Sequence, residues 1–590
     1  LGCSFVLDFE ELSSGSSSDS DGGSNSDDES DDSGDDGNDD GADDTTADDD
    51  SSGGDDGSDD DVSDDADADG DAGDDATDDV SDDATDDVSD DATDDTTSDL
   101  DGGVDAGGCA RNCEDDDPCT VDRCVAGRCE NEPMVCEATD ACMEASCVNG
   151  MCVEAPMVGV VFDGYDETLD GDSIYRSELV GSGDRFYRAT YGSWDGQPDV
   201  VFSVFDRDAD EPLAETRASA HLPEGIVVMS PAALAPDTRL GLTLYAYVAV
   251  KNEGQPDDVA GAVALLRFNR DLSLLEEGGV TVVASTSNYR YESDRLGPAA
   301  GLTAGGEPFV AWNGCTTSGP TDAPTCVSTE PGSDGQGGIY IQIGDDPLSV
   351  NEPGDYFIPD PRPVSGLAVV DTGDAPGAMW MANETPGGVD VTVAMANGQD
   401  PVSLVRCNTD DSSTGYALDA WRSLGNLWTT SWSTRMGTSY ASELAVLRCL
   451  DGACEDVSIA AGTESCSESQ SAARVLDGAR NVVTRTLARP GDPAERLYQT
   501  ATAATSDDEG SRVELVVNRL DFDLSQEAAV NSSMPVGRVE LSAQDPDEAP
   551  GWPALAAVPP DALAVSWVET GDQSGSESVR VQRYRICFGD

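Results

Sequence analysis

Imidazole is all but missing from this chain of 590 residues, His221 being its one histidine. Ser-His-Asp and Cys-His devices turn on that ring, and a lone histidine beside Pro223 in a loop reads as a surface residue rather than a base. Metal catalysis on imidazole ligands is excluded for the same reason. Nucleophile elbow, phosphate loop and His-Glu-x-x-His helix are also absent from the sequence. Lysine is as scarce as histidine, Lys251 being the only one, while 121 Asp and Glu face 30 Lys and Arg for a net charge of -91. Neither a nucleic-acid phosphate nor an anionic headgroup is attracted to such a surface. Runs of 18 apolar residues are lacking too, so no stretch is long enough for a membrane-spanning helix.

The charge is uneven. Residues 1–108 hold 44 Asp and Glu and no Lys or Arg. Such a segment buries too little apolar surface to offset its ordering entropy, and its charges repel. Residues 13–108, written in Asp, Ser, Gly, Ala and Thr, are therefore expected to be a disordered acidic linker spanning on the order of 60 Å or more. Asp65-x-Asp67-x-Asp69-Gly70 opens like a calcium loop, but the twelfth position is Ala76, so the match fails. Ahead of the linker, residues 1–12 begin without Met, and Leu1-Gly2-Cys3-Ser4 resembles the end of a bacterial lipobox. The resemblance implies a cleaved signal peptide, a lipid on Cys3 and a lipoprotein on the extracellular face of a Gram-negative outer membrane, with secretion as the alternative.

Seventeen cysteines point to an oxidising compartment, and eight of them form a ladder written twice. Cys113, Cys119, Cys124 and Cys129 recur 23 positions later as Cys136, Cys142, Cys147 and Cys152. The spacing lacks the separated close pairs of a zinc site, so the module at 109–158 is expected to hold two disulfides per copy and to act as a rigid collar. Its Asp-Pro-Cys-Thr-x-Asp-x-Cys stretch resembles the short cysteine-rich repeat of slime-mould extracellular-matrix proteins, found also in secreted bacterial proteins. The second copy keeps the cysteines and Gly150 but not the Thr and Asp.

From 159 to 590 short apolar strands alternate with Gly, Pro and Asp turns, and one unit of about 50 to 80 residues recurs. Its clearest copies run through residues 301–343, 367–395, 417–449, 473–520 and 555–587, with weaker ones at the Gly196 and Gly254 turns. The spacing predicts an all-β head that resembles a seven-bladed β-propeller, with six blades plus a cap as the alternative. Cys449 and Cys454 flank a tight hairpin and Cys315 and Cys326 bracket a loop, so both pairs are expected to be bonded. Cys407, Cys449 and Cys587 each close a third strand; partners for Cys109, Cys407, Cys466 and Cys587 stay open.

Asp206, Asp208 and Asp210 make the best calcium candidate in the head, against a plain turn of solvated charges. No other cofactor is indicated. Trp312, Trp380, Trp432 and Trp567 sit at matching strand ends, where such residues fill the space between blades before they serve as sugar platforms. The leading function is non-enzymatic recognition or adhesion towards a protein, glycan or matrix ligand. The alternatives are a polysaccharide hydrolase with paired carboxylates, and a structural envelope spacer.

Overall fold

Stretches rich in Val, Ala, Tyr and Phe, cut by Gly and Asp turns, pair antiparallel with their sequence neighbours along the chain. The computed structural model describes residues 113–589 apart from 210, 238–242, 255–260, 276–278, 290–296, 317–335, 345–355, 361, 363, 385–387, 399, 409–412, 425–426, 437–438, 451, 457–478, 490, 493–495, 508–509, 523–529, 545–551 and 571–576. Cys3, the acidic stretch 13–108, Cys109, Asp210, Cys326 and Cys466 lie outside the described residues. Among the described residues there is no α-helix, only a short 3-10 turn at Ala218–Ala220.

Seven blades make the head. The first comprises Ser173–Ser182, Arg185–Trp194, Gln197–Asp206 and Ala214–Arg217; the fourth runs from Val364–Asp371 to Val402–Asn408, the fifth from Ser413–Leu424 to Ala453–Asp456, and the sixth from Ala479–Leu487 to Val530–Gln544. The second and third blades, whose innermost strands are Ala233–Asp237 and Ala299–Leu302, share one sheet joined at the Tyr289–Gly314 pair. The last blade takes three strands from the C-terminal end, Ala554–Val558, Ala562–Thr570 and Glu577–Phe588. Its fourth strand is Val158–Gly171, in a register from Glu577↔Gly171 to Phe588↔Val158. The innermost strands touch their neighbours in a closed ring of seven, the last beside the first. This leaves no place for the six-blade arrangement with a cap.

Because each blade is covered on both faces, its middle strands show continuous burial instead of alternation. Residues 199–205 of the first blade are all buried, as are Trp312, Trp380, Trp432 and Trp567, which sit in hydrophobic clusters of the stacked blades. Polar pins cross the same space. Arg362 donates to Asp360 at 2.8 Å and to Asp390 at 2.6 Å, and the Trp380 indole N–H donates to Asp360 at 2.7 Å. Cys407 lies on the fourth strand of its blade, Val402–Asn408, whereas Cys449 and Cys587 lie on third strands, so the expected equivalence of the three fails for Cys407.

Each copy of the cysteine module is one hairpin, Thr120–Val125 with Arg128–Pro133 and Met143–Val148 with Met151–Pro156. Both turn through two residues in the left-handed region, Ala126-Gly127 and Asn149-Gly150, the conformation that a two-residue hairpin requires. Two self-contained bridges per copy are not what forms. One bridge closes each copy, Cys113–Cys129 and Cys136–Cys152, while Cys119 bonds Cys147 of the second copy and Cys142 bonds Cys587 of the propeller. A hairpin this small has no core of its own, and cross-links to its neighbours anchor it better than a second internal bridge does. Cys449 bonds Cys454 across its hairpin.

Candidate functional site

The innermost strands surround an axial channel of about 140 Å³, lined from all seven blades. Side chains alternate along a strand, so residues two apart share a face. In Ser173–Ser182 this leaves Arg176 and Glu178 partly exposed and turns Ser177 and Leu179 inward. In Ser413–Leu424 the same spacing relates Asp419 and Trp421, both half-buried and both lining the channel. Arg485 from the sixth blade and Trp552, just before the last blade, complete the polar wall. The opposite wall, from the second to fourth blades, is residues 231–234, 297–300 and 365–369, with neither a charged nor an aromatic side chain.

The polar wall is tightly knit. Asp419 Oδ2 accepts from the Arg485 guanidinium at 2.7 Å and from the Thr484 amide at 2.9 Å. The Arg485 guanidinium carbon lies 4.6 Å from the centre of the Trp421 ring, and that of Arg176 lies 5.6 Å from Trp552. Glu178 Oε1 accepts from the Leu234 amide of the second blade at 3.3 Å. Burial pushes the Glu178 carboxyl up to about 7, against the pull of Arg176, that hydrogen bond and Arg485, with Asp419 adding to the rise. Burial also draws the Arg176 guanidinium below its ordinary value. Four formal charges thus meet on one wall of a small bore whose other wall is uncharged.

The residues singled out from the sequence lie elsewhere. Of eight tryptophans, six are buried, the four expected ones among them, and Trp421 and Trp552 are the two left half-exposed. Asp206 accepts from Arg185 at 2.8 Å and Asp208 from Arg585 at 2.9 Å, so a calcium ion at this turn has to displace two guanidinium groups. Among the described residues no three His, Cys, Asp or Glu side chains gather to hold a metal ion. His221 sits between the first and second blades, its Nε2 2.7 Å from Thr216 Oγ1 and its ring edge-on to Phe268, and burial lowers its pKa. In the first cysteine copy, Thr120 donates to Asp115 at 2.8 Å and to Asp122 at 3.2 Å, so these polar residues lock the loop. Sequence reasoning passed over Arg176, Glu178, Asp419 and Trp421. Their signal was polar or aromatic residues two apart in the first strand of a unit.

No family model and no curated protein matches the chain. Solved structures that resemble it include a protein of unknown function from Dyadobacter fermentans DSM 18053, at 10% identity over 72% of this chain and 99% of that one, TM-score 0.35. The intramolecular trans-sialidase from Ruminococcus gnavus is 8% identical over 73% of this chain and 97% of that one, TM-score 0.34. Drosophila Semaphorin 2a is 9% identical over 72% and 75%, TM-score 0.39. Likenesses this distant carry no argument about function. A seven-bladed propeller with a polar, tryptophan-walled axial channel is what the chain itself presents.

Proposed function

We propose that the chain is a non-enzymatic recognition protein of the cell surface, and that its axial channel takes the end of a neutral glycan. The observation that carries this reading is the channel's two-sided wall, with Trp421, Trp552, Asp419, Glu178 and two arginines facing small residues. Indole faces stack on the C–H face of a sugar ring, and charged groups make the stronger hydrogen bonds to its hydroxyls. A volume of 140 Å³ corresponds to roughly five waters at liquid density, which is the scale of one monosaccharide. The overall charge of -91 disfavours an acidic sugar on approach. A lipid on Cys3 and the acidic linker hold the head clear of the outer membrane.

One observation favours a hydrolase as the second reading. Glu178, raised to about 7, lies in the electrostatic range of Asp419, and a pair of carboxyl groups in contrasting surroundings is what glycoside hydrolysis uses. The full chain on a panel of neutral glycans separates the two. Retention of a neutral glycan without turnover, weakened about tenfold or more by Trp421→Ala, is expected. Turnover that Glu178→Gln abolishes establishes the hydrolase, and retention of no glycan leaves a structural spacer.

A further inference from the structure

The two cysteine copies share one internal bond, and their remaining cysteines follow a rule of direction. In each copy the first and fourth cysteines bond at a separation of 16 residues. The second cysteine bonds forward instead. Cys119 reaches Cys147, the third cysteine of the next copy, and Cys142 reaches Cys587 on the propeller's closing blade. The setting of the two forward-reaching cysteines is the same. The Cys119 amide donates to Asp117 Oδ1 at 2.9 Å and the Cys142 amide to Asp140 Oδ1 at 2.8 Å; the Cys119 carbonyl accepts from Met134 at 2.7 Å and the Cys142 carbonyl from Met157 at 3.0 Å. Both targets lie within a paired strand, Cys147 opposite Cys152 and Cys587 opposite Gly159.

We propose that the repeat is a directional covalent coupler, whose second cysteine bonds the strand pair that follows it, and that the closing strand of the propeller stands where a further copy would. The partner the module fits is thus another copy of itself or a strand pair carrying a cysteine at the third-cysteine position. Cys124, the third cysteine of the first copy, is disulfide-bonded, and the ten other described half-cystines bond among themselves. Each bond forms as two thiols pass two electrons and two protons to a disulfide of the oxidising compartment, which leaves as two thiols.

The coupler also decides where tension goes. A pull on the N-terminal side that reached Val158 through the backbone alone would peel Val158–Gly171 off the last blade, one pair after another from Phe588↔Val158. Through Cys142–Cys587 the pull enters the neighbouring strand, Glu577–Phe588, which is paired on both sides.

Insertion of one extra copy of residues 113–135 between Val158 and Gly159 of the full chain, read by non-reducing peptide mapping, tests the proposal. The expected result is loss of the Cys142–Cys587 peptide, a new link from Cys142 to the inserted third cysteine, and a new link from the inserted second cysteine to Cys587. Retention of Cys142–Cys587, with the inserted second and third cysteines bonded to each other, overturns it. Should the insertion not fold, Cys142→Ser in the otherwise unaltered chain answers separately. One free thiol at Cys587 with Cys119–Cys147 intact supports the rule, and a new bond from Cys587 to Cys119 or Cys147 refutes it.

Discussion

Glu178 should make the stability of the propeller fall as pH rises from about 4.5 to about 7, and Glu178→Gln should remove that fall. The carboxyl ordinarily titrates at 4.5, and burial in the channel raises it to about 7. Below 4.5 both the folded and the unfolded chain carry the proton, and the stabilising effect of the neutral form is fully present. Between the two values only the unfolded chain releases its proton, so each step up in pH favours unfolding; above about 7 both states are ionised and the loss is complete. At about 1.4 kcal/mol per unit the loss comes to about 3 kcal/mol. A propeller of this length unfolds with an entropy near 0.9 kcal/mol/K, so the shift corresponds to about 3 to 4 °C in Tm. The amide of Gln keeps an acceptor for the Leu234 N–H and never ionises. Variant and wild type should therefore melt together near pH 4 and part by about 3 °C at pH 8, with the variant the more stable. Thermal scans from pH 4 to 8.5 provide the measurement. A difference that does not change with pH would show that Glu178 ionises freely, and the electrostatic account of the channel would go with it.

Arg362→Ala strips the fork shared by Asp360 and Asp390, which are both buried, and should cost about 3 to 5 kcal/mol in urea unfolding; a loss below 1 kcal/mol would mean that the pin is idle. Cys142→Ser releases a 445-residue covalent loop, for which chain entropy gives about 6 kcal/mol and practice rarely above about 5, so Tm should fall by about 5 °C without loss of the propeller's circular dichroism. A Tm within 1 °C of wild type would deny the clasp. Cys3→Ser, followed by membrane fractionation, should move the protein to the soluble fraction, and a protein still in the membrane would refute the lipid anchor.

Blades were legible in the sequence where strand, turn and strand are short and consecutive. Residues 367–380 with 389–395 are hairpins whose strands are joined by turns of a few residues, so local alternation and glycine turns suffice to reveal them, whereas residues 309–316 pair with 336–343 across a longer connection. The closing strand carries no such signal. Val158–Gly171 pairs with residues more than 400 positions further on, and its own pattern of part-buried residues suits any edge strand. Disulfide pairing was illegible for a related reason. An even ladder of cysteines is compatible with every connectivity, and the choice is made by which hairpin lands beside which, as Cys142 beside Cys587 shows.

The site was hidden by a competition between two kinds of apolar position. Trp312, Trp380 and Trp567 belong to second strands, where both faces are covered and a large ring is the best filler, so their regular recurrence reports packing. Trp421 belongs to a first strand, and in this ring of seven the first strands line the channel. A polar or aromatic residue there borders the channel, and its partner two positions earlier lies on the same face. Arg176 with Glu178 and Asp419 with Trp421 are two such pairs, in the first and fifth blades. Irregularity in the first strand, rather than the regularity of the second, is thus the place to look for function in a chain of this architecture.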